Sequence, residues 1–282
     1  MSEKMQRFGT DLKENIIMLR EMSQNTNGLL IRELTLSGCH YALISGANLI
    51  NSLEVYNLVV QPLKELETEK KGLVPEDIYQ FIETQSMFSM EFNDVYDGEE
   101  AFQKIMSGFL LIAIDGIDKM ISLGMQGFKY RSVSEPSNEV NQFGSNEAFT
   151  EVFTVNASMV RRRLKTPTLK FEQMAVGEKS KTAILIVYLT DAVEPKLVRD
   201  VKRRLSKIKT QTVLAVGYLE SFLDGKPYSL FSTVGTTERP DTLCAKLTEG
   251  RVGIIVDGTR FAIVVPRLFV ENFHSMDDYN EK

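Results

Sequence analysis

Residues that usually carry chemistry are scarce in this chain. It holds two cysteines and two histidines in 282 residues. Cys39 and Cys244 lie in apolar contexts without a CxxC spacing. That argues against a disulfide framework or a thiolate metal site and for two reduced, buried thiols. His40 falls inside an expected strand and His274 near the C-terminal end, and neither has a Ser, Asp or Cys partner close in sequence. HExxH, GxSxG, Walker A and GxGxxG patterns are all missing. The expectation is a protein that is not an enzyme, with no catalytic residues, no metal and no cofactor.

Long apolar runs are missing as well. Phe109–Ile114 and Ala183–Leu189 are strand-length, far short of the ~18 to 20 residues needed to cross a bilayer. The first ten residues carry both charges and no apolar stretch, so no secretory leader is read there. A hydrophobic fraction of 43% with 25% charged residues fits a globular protein, and 282 residues suffice for two ordinary domains. Residues 1–140 hold 12 Lys/Arg and 21 Asp/Glu, a net of −9, and the remainder is net +4. A basic half at that level falls far short of a nucleic-acid footprint.

What is present is concentrated between Thr236 and Pro266. Pro240 suits a first helical turn, Asp241 places charge at the positive end of the helix dipole, and Gly250 stands at a left-handed C-cap. Two apolar runs, Val252–Val256 and Phe261–Val265, flank Asp257-Gly258, which predicts a hairpin.

A weaker echo lies upstream. Gly108 and Gly250 are 142 residues apart, and so are Asp115-Gly116 and Asp257-Gly258. Helices are expected over 11–22, 49–60, 150–164 and 196–208, and strands over 29–36, 40–45, 168–176 and 182–189. The predicted fold is α/β: two subdomains, each a mixed β-sheet flanked by helices, joined by a polar linker. The boundaries are 1–131, a linker at 132–148, and 149–282. A short helix is expected after Arg267.

Several segments together resemble one family. TERPD (Thr237–Asp241) followed by EGRVGIIVDGT, GSNEAFTE at Gly144–Glu151, and Asn156 with Arg161–Lys165 resemble the GerA family of spore germinant receptors, in the soluble N-terminal region of the A subunit. Arg131–Pro136 and Lys179–Thr182 also match. The resemblance implies a role in sensing or relaying nutrient signals that start spore germination. It implies B and C subunits as partners, a small nutrient as ligand, and a continuation into membrane-spanning helices beyond these residues. It places the parent in the spore inner membrane, with this region on the cytoplasmic, core side. A standalone small-molecule module like a two-lobed substrate-binding protein is the alternative, and a hydrolase has only abundant carboxylates behind it. The chain departs from the family pattern at Gln142–Ala148, where RGPxEGF is usual, and at Arg260, where proline is common.

The candidate site follows from these matches as an interdomain seam or ligand contact. It comprises Arg131, Glu135, Asn146, Glu147, Glu151, Asn156, Arg161, Arg163, Thr237, Glu238, Arg239 and Asp241. Asn156 falls on the apolar face of an expected helix with Phe149 and Phe153, and a buried amide without partners costs about 1–3 kcal/mol. It is expected, with Glu147, Glu151 and one arginine, to tie down the connector. Glu238 and Asp241 either cap a helix or make functional contacts. The basic helix Lys196–Lys209 reads as a solvated face, or as a contact for anionic lipid headgroups or an acidic partner.

Overall fold

The computed structural model describes residues 7–23, 28–86, 91–126, 145, 147–224 and 232–268. The chain divides into two compact units: Met1–Phe128 with Lys165–Pro167, and Lys129–Leu164 with Thr168–Lys282. The expected linker at 132–148 (Ser145, Glu147 and Ala148 apart) and the helix expected beyond Arg267 lie outside the described residues, as do Arg131, Glu135, Asn146 and His274.

In the first unit, helix α1 spans Leu12–Met22, capped by Asp11, whose carboxylate accepts from the N–H groups of Lys13 and Glu14. Strands β1 (Leu29–Leu36) and β2 (Cys39–Gly46) form a hairpin over Ser37-Gly38. Both loop residues have positive φ, 49° and 89°, as the right-handed strand twist demands of a two-residue turn. Helix α2 (Ser52–Val55) passes through a π-helical turn (Tyr56–Val60) into α3 (Gln61–Glu69). The helix expected over 49–60 thus starts later and runs further. Gln61 donates to Tyr56 O, five residues back, just before Pro62, which has no N–H to donate. Then come α4 (Pro75–Ser86), β3 (Phe92–Val95), α5 (Gly98–Met106), β4 (Phe109–Ile114) and β5 (Met120–Gly124).

The second unit holds α6 (Phe153–Arg163), β6 (Leu169–Val176), β7 (Thr182–Leu189), α7 (Pro195–Leu205), α8 (Gly217–Leu223), β8 (Gly235–Thr237), α9 (Pro240–Thr248), β9 (Val252–Val256) and β10 (Ala262–Val265). The sheet orders are β1-β2-β4-β5-β3 and β6-β7-β9-β10-β8, the same path traced twice. Every pairing among these strands is antiparallel, where the sequence had suggested mixed sheets. Each crossover, from β2 to β4 and from β7 to β9, contains an additional strand and several helices and returns the chain in the opposite direction, where a single-helix crossover would leave the strands parallel.

Helices cover both faces of each sheet. In the first unit one face packs Leu12, Ile16 and Leu19 of α1 with Phe102 and Ile105 of α5, and the other takes Val55, Val59, Leu63, Ile78 and Ile82. In the second unit α6 and α9 share one face, and α7 and α8 the other. The central strands are therefore buried on both sides, which is why β4 and β9 read as unbroken apolar runs.

Cys244 is buried as expected, but Cys39 is only partly so, with its thiol donating to Leu73 O at 3.0 Å. His40 is exposed on the β1–β2 hairpin, beside the Thr35 hydroxyl at 3.1 Å.

Candidate functional site

The expected hairpin at Asp257-Gly258 is a five-residue loop, 257–261, rather than a tight turn. Its Asp-Gly pair serves another purpose. Gly258, at φ 81°, donates to Glu151 O at 2.8 Å, and the Asp257 carboxylate accepts from Phe153 N–H at 3.4 Å. Both contacts hold the strap of residues 147–152 that leads into α6.

The same strap is fastened three more ways. Phe149, which the sequence had placed on the helix, precedes it, and its side chain is fully buried in the α6–α9 core. Its N–H donates to Glu238 O at 2.8 Å. Asn156, 1% exposed, accepts from Thr150 N–H at 2.7 Å and donates to Thr150 O at 2.6 Å, so the buried amide is satisfied on both sides. Finally the Glu147 carboxylate receives Arg162 at 2.6 and 2.7 Å and also pairs with Arg163.

Arg162 was missing from the sequence-derived set, and Arg161 does not take its part. Arg161 is 6% exposed and stacks over Phe171, its guanidinium carbon 4.2 Å from the ring centroid. Burial holds its pKa down at about 10. Arg161 ends the buried run Asn156–Arg161, whereas Arg162 and Arg163 reach Glu147 on the strap.

The TERPD segment forms β8 and the start of α9. Thr237 is buried, and its hydroxyl accepts from Arg239 N–H at 3.1 Å. The helix is capped by neither acid in the N-cap position: Arg239 stands there, and its side chain grips Asp241 with two bonds of 3.1 and 2.6 Å. Glu238 is 1% exposed and contributes its backbone carbonyl to the strap. Burial pushes the Asp241 carboxyl up, but the Arg239 hydrogen bonds and charge, the Thr242 N–H and the charge of Arg163 together leave it below its ordinary value. Glu151 is exposed, with Arg260 at 3.9 Å.

Glu147 with Arg162 and Arg163, and Arg239 with Asp241, are two ion-paired groups that the charge of Arg163 links into a polar system over α6 and α9. Chemically it is a set of mutually satisfied charges, with no nucleophile activated by a base. Among the described residues no group of His, Cys, Asp and Glu is arranged to hold a metal ion, and no helix is long and apolar enough to cross a membrane.

The scaffold beneath that system occurs twice. Phe8 N–H donates to Tyr96 O at 3.0 Å, Gly116 N–H to Thr10 O at 2.8 Å, Leu12 N–H to Asp115 at 3.1 Å, and Asn15 is bonded to Gly9 at 3.0 and 2.7 Å. The ion pairs do not recur. Glu21 and Met22 stand 141 residues before Arg162 and Arg163, and Asp97 stands 142 before Arg239.

Residues 17–282 match the model of the Bacillus/Clostridium GerA spore germination protein family. The chain belongs to the GerA family. It is 32% identical over 271 residues to spore germination protein KA of Bacillus subtilis (strain 168), covering 95% of the chain and 49% of that protein. It is 30% identical over 268 residues to spore germination protein GerLA of Bacillus cereus, covering 94% and 53%. The chain therefore spans about half the length of these relatives. Its fold matches the crystal structure of the N-terminal domain of the A subunit of the Bacillus megaterium spore germinant receptor GerK3. The TM-score is 0.72 at 26% identity, over 95% of this chain and 99% of that domain.

Proposed function

We propose that these residues form the N-terminal module of a germinant-receptor A subunit, and that the module works by assembly and signal relay rather than by catalysis or tight germinant capture. The match along almost the whole length of the GerK3 A-subunit domain carries this reading. The parent protein assembles with B and C subunits in the spore inner membrane, with this module on the core side. A nutrient change elsewhere in the receptor reaches it as a mechanical or electrostatic signal. The polar system over α6 and α9 supports relay: its charges are already paired internally, which suits a rigid lever better than an open amino-acid pocket.

The test is a titration of the 282-residue chain with a panel of amino acids, sugars and nucleosides, followed by NMR. The expected result is no saturable shift, together with slower nutrient-triggered loss of optical density in spores carrying Glu147→Lys at unchanged receptor level. Saturable shifts centred on Glu147, Arg162 and Asp241 would replace relay with direct binding.

A further inference from the structure

One end of the second unit gathers positive charge beside uncovered apolar side chains. The turn between β6 and β7 is bonded to the connection between α7 and α8: Glu178 N–H donates to Thr210 O at 2.9 Å and Lys179 N–H to Gln211 O at 2.7 Å. Val213 N–H donates to Ser180 Oγ at 3.1 Å. These bonds bring Lys179 and Lys181 together with Lys207 and Lys209. All four are exposed, and among the described residues none is in an ion pair. Glu178 is the single acid in residues 177–181 and 206–215. Lys181 sits at φ 45°, a conformation that glycine or asparagine adopts more readily.

The apolar part adjoins it in the chain. Leu214 is 65% exposed, Tyr218 48% and Phe222 38%. Tyr218 and Phe222 are one turn apart on α8, and the neighbouring Leu219 and Leu223 are buried in the core that α8 shares with α7. Large exposed apolar side chains near lysines in the chain are the composition of a surface that lies in a lipid interface, with aromatic and leucine side chains in the headgroup boundary and ammonium groups on phosphates.

We propose that this end of the second unit docks on an anionic lipid surface through Lys179, Lys181, Lys207 and Lys209, with Leu214, Tyr218 and Phe222 entering the interfacial layer. A bilayer fits better than an acidic protein. Three exposed apolar side chains are few for the ~800 Å² per partner that a specific protein interface buries. Lipid needs no matching shape. The charge complementarity is direct, since each lysine near such a surface strengthens partitioning about fivefold.

The test is flotation of the 282-residue chain with vesicles of phosphatidylglycerol and phosphatidylcholine, and with phosphatidylcholine alone. Binding to the anionic vesicles is expected, weakening as salt rises, with little binding to the neutral ones. Lys207→Glu with Lys209→Glu should reduce it at least tenfold. Leu214→Ser with Tyr218→Ser should reduce it severalfold while leaving the far-UV spectrum and melting temperature unchanged. No binding to anionic vesicles would overturn the proposal. So would binding that the Leu214/Tyr218 variant leaves intact and that soluble polyglutamate competes away, which would assign the patch to an acidic protein.

Discussion

Asn15 and Asn156 make the same clamp 141 residues apart, each accepting from the N–H and donating to the carbonyl of the residue six positions earlier. Each is buried in the first turns of the helix that opens its unit. Removing either leaves two backbone groups without their partner, a loss of about 1–3 kcal/mol. Asn156→Ala and Asn15→Ala should each lower the urea midpoint by a comparable amount. If neither moves it, the clamp adds nothing to stability and its recurrence reflects chain path alone.

The Glu147 carboxylate receives both Arg162 and Arg163, and its side chain is 13% exposed. Glu147→Gln therefore removes the negative charge that two adjacent guanidinium groups share. An expected loss of about 1–2 kcal/mol lies above the range of exposed pairs because the site is partly shielded from water. A double-mutant cycle with Arg162→Met tests it. A coupling below about 0.5 kcal/mol would reduce the pair to a solvated surface contact.

The apolar framework was legible in the sequence because period and turn chemistry agreed there. Asp11 marks the start of α1, β1 and β7 fall where the apolar runs place them, and the 142-residue echo matches two sheets with one strand order. Less legible were elements whose signal is tertiary. Strands β3 and β8 are four and three residues long, sit at sheet edges, and carry no alternation long enough to register. The helix around Pro62 continued because a π-turn absorbed the missing donor, which composition does not announce. In the site, Asn156 was conspicuous as an amide on an apolar face. Choosing among Arg161, Arg162 and Arg163 required knowing where α6 begins, and that depends on the strap held by Asp257-Gly258.

Asp241 should make stability depend on pH in the acid range. Its folded-state pKa lies below the ordinary value of 3.8. The unfolded chain therefore takes up a proton first as pH falls. The stabilisation is complete above the ordinary value and is lost as pH drops through the depressed folded value. Asp241→Asn removes a charged partner of a guanidinium that is 4% exposed and should cost about 2–3 kcal/mol at pH 7. The difference in unfolding free energy between the two proteins, followed from pH 7 to pH 2, should shrink below about pH 4. A difference that stays constant over that range would show that Asp241 does not stabilise the fold through its charge.

The two thiols should report on different events. Cys244 is 6% exposed; burial, reinforced by the Asp241 charge and opposed by Arg163, pushes its pKa up to about 12. Almost no thiolate exists at neutral pH, and the sulfur is enclosed by α6 and α9. Cys39 is also raised, first by burial and then by the charges of Asp77, Glu76 and Asp115, but it is partly open to solvent. A disulfide reagent at pH 7.5 should therefore modify Cys39 slowly in the native protein and leave Cys244 untouched until the second unit unfolds. The Cys39→Ala protein isolates the second event. Its labelling rate in increasing urea should follow the unfolding transition, and Asn156→Ala in the same background should shift that curve to lower urea. Labelling of Cys244 at low urea, at a rate independent of Asn156, would mean that α9 opens locally without releasing the clamp.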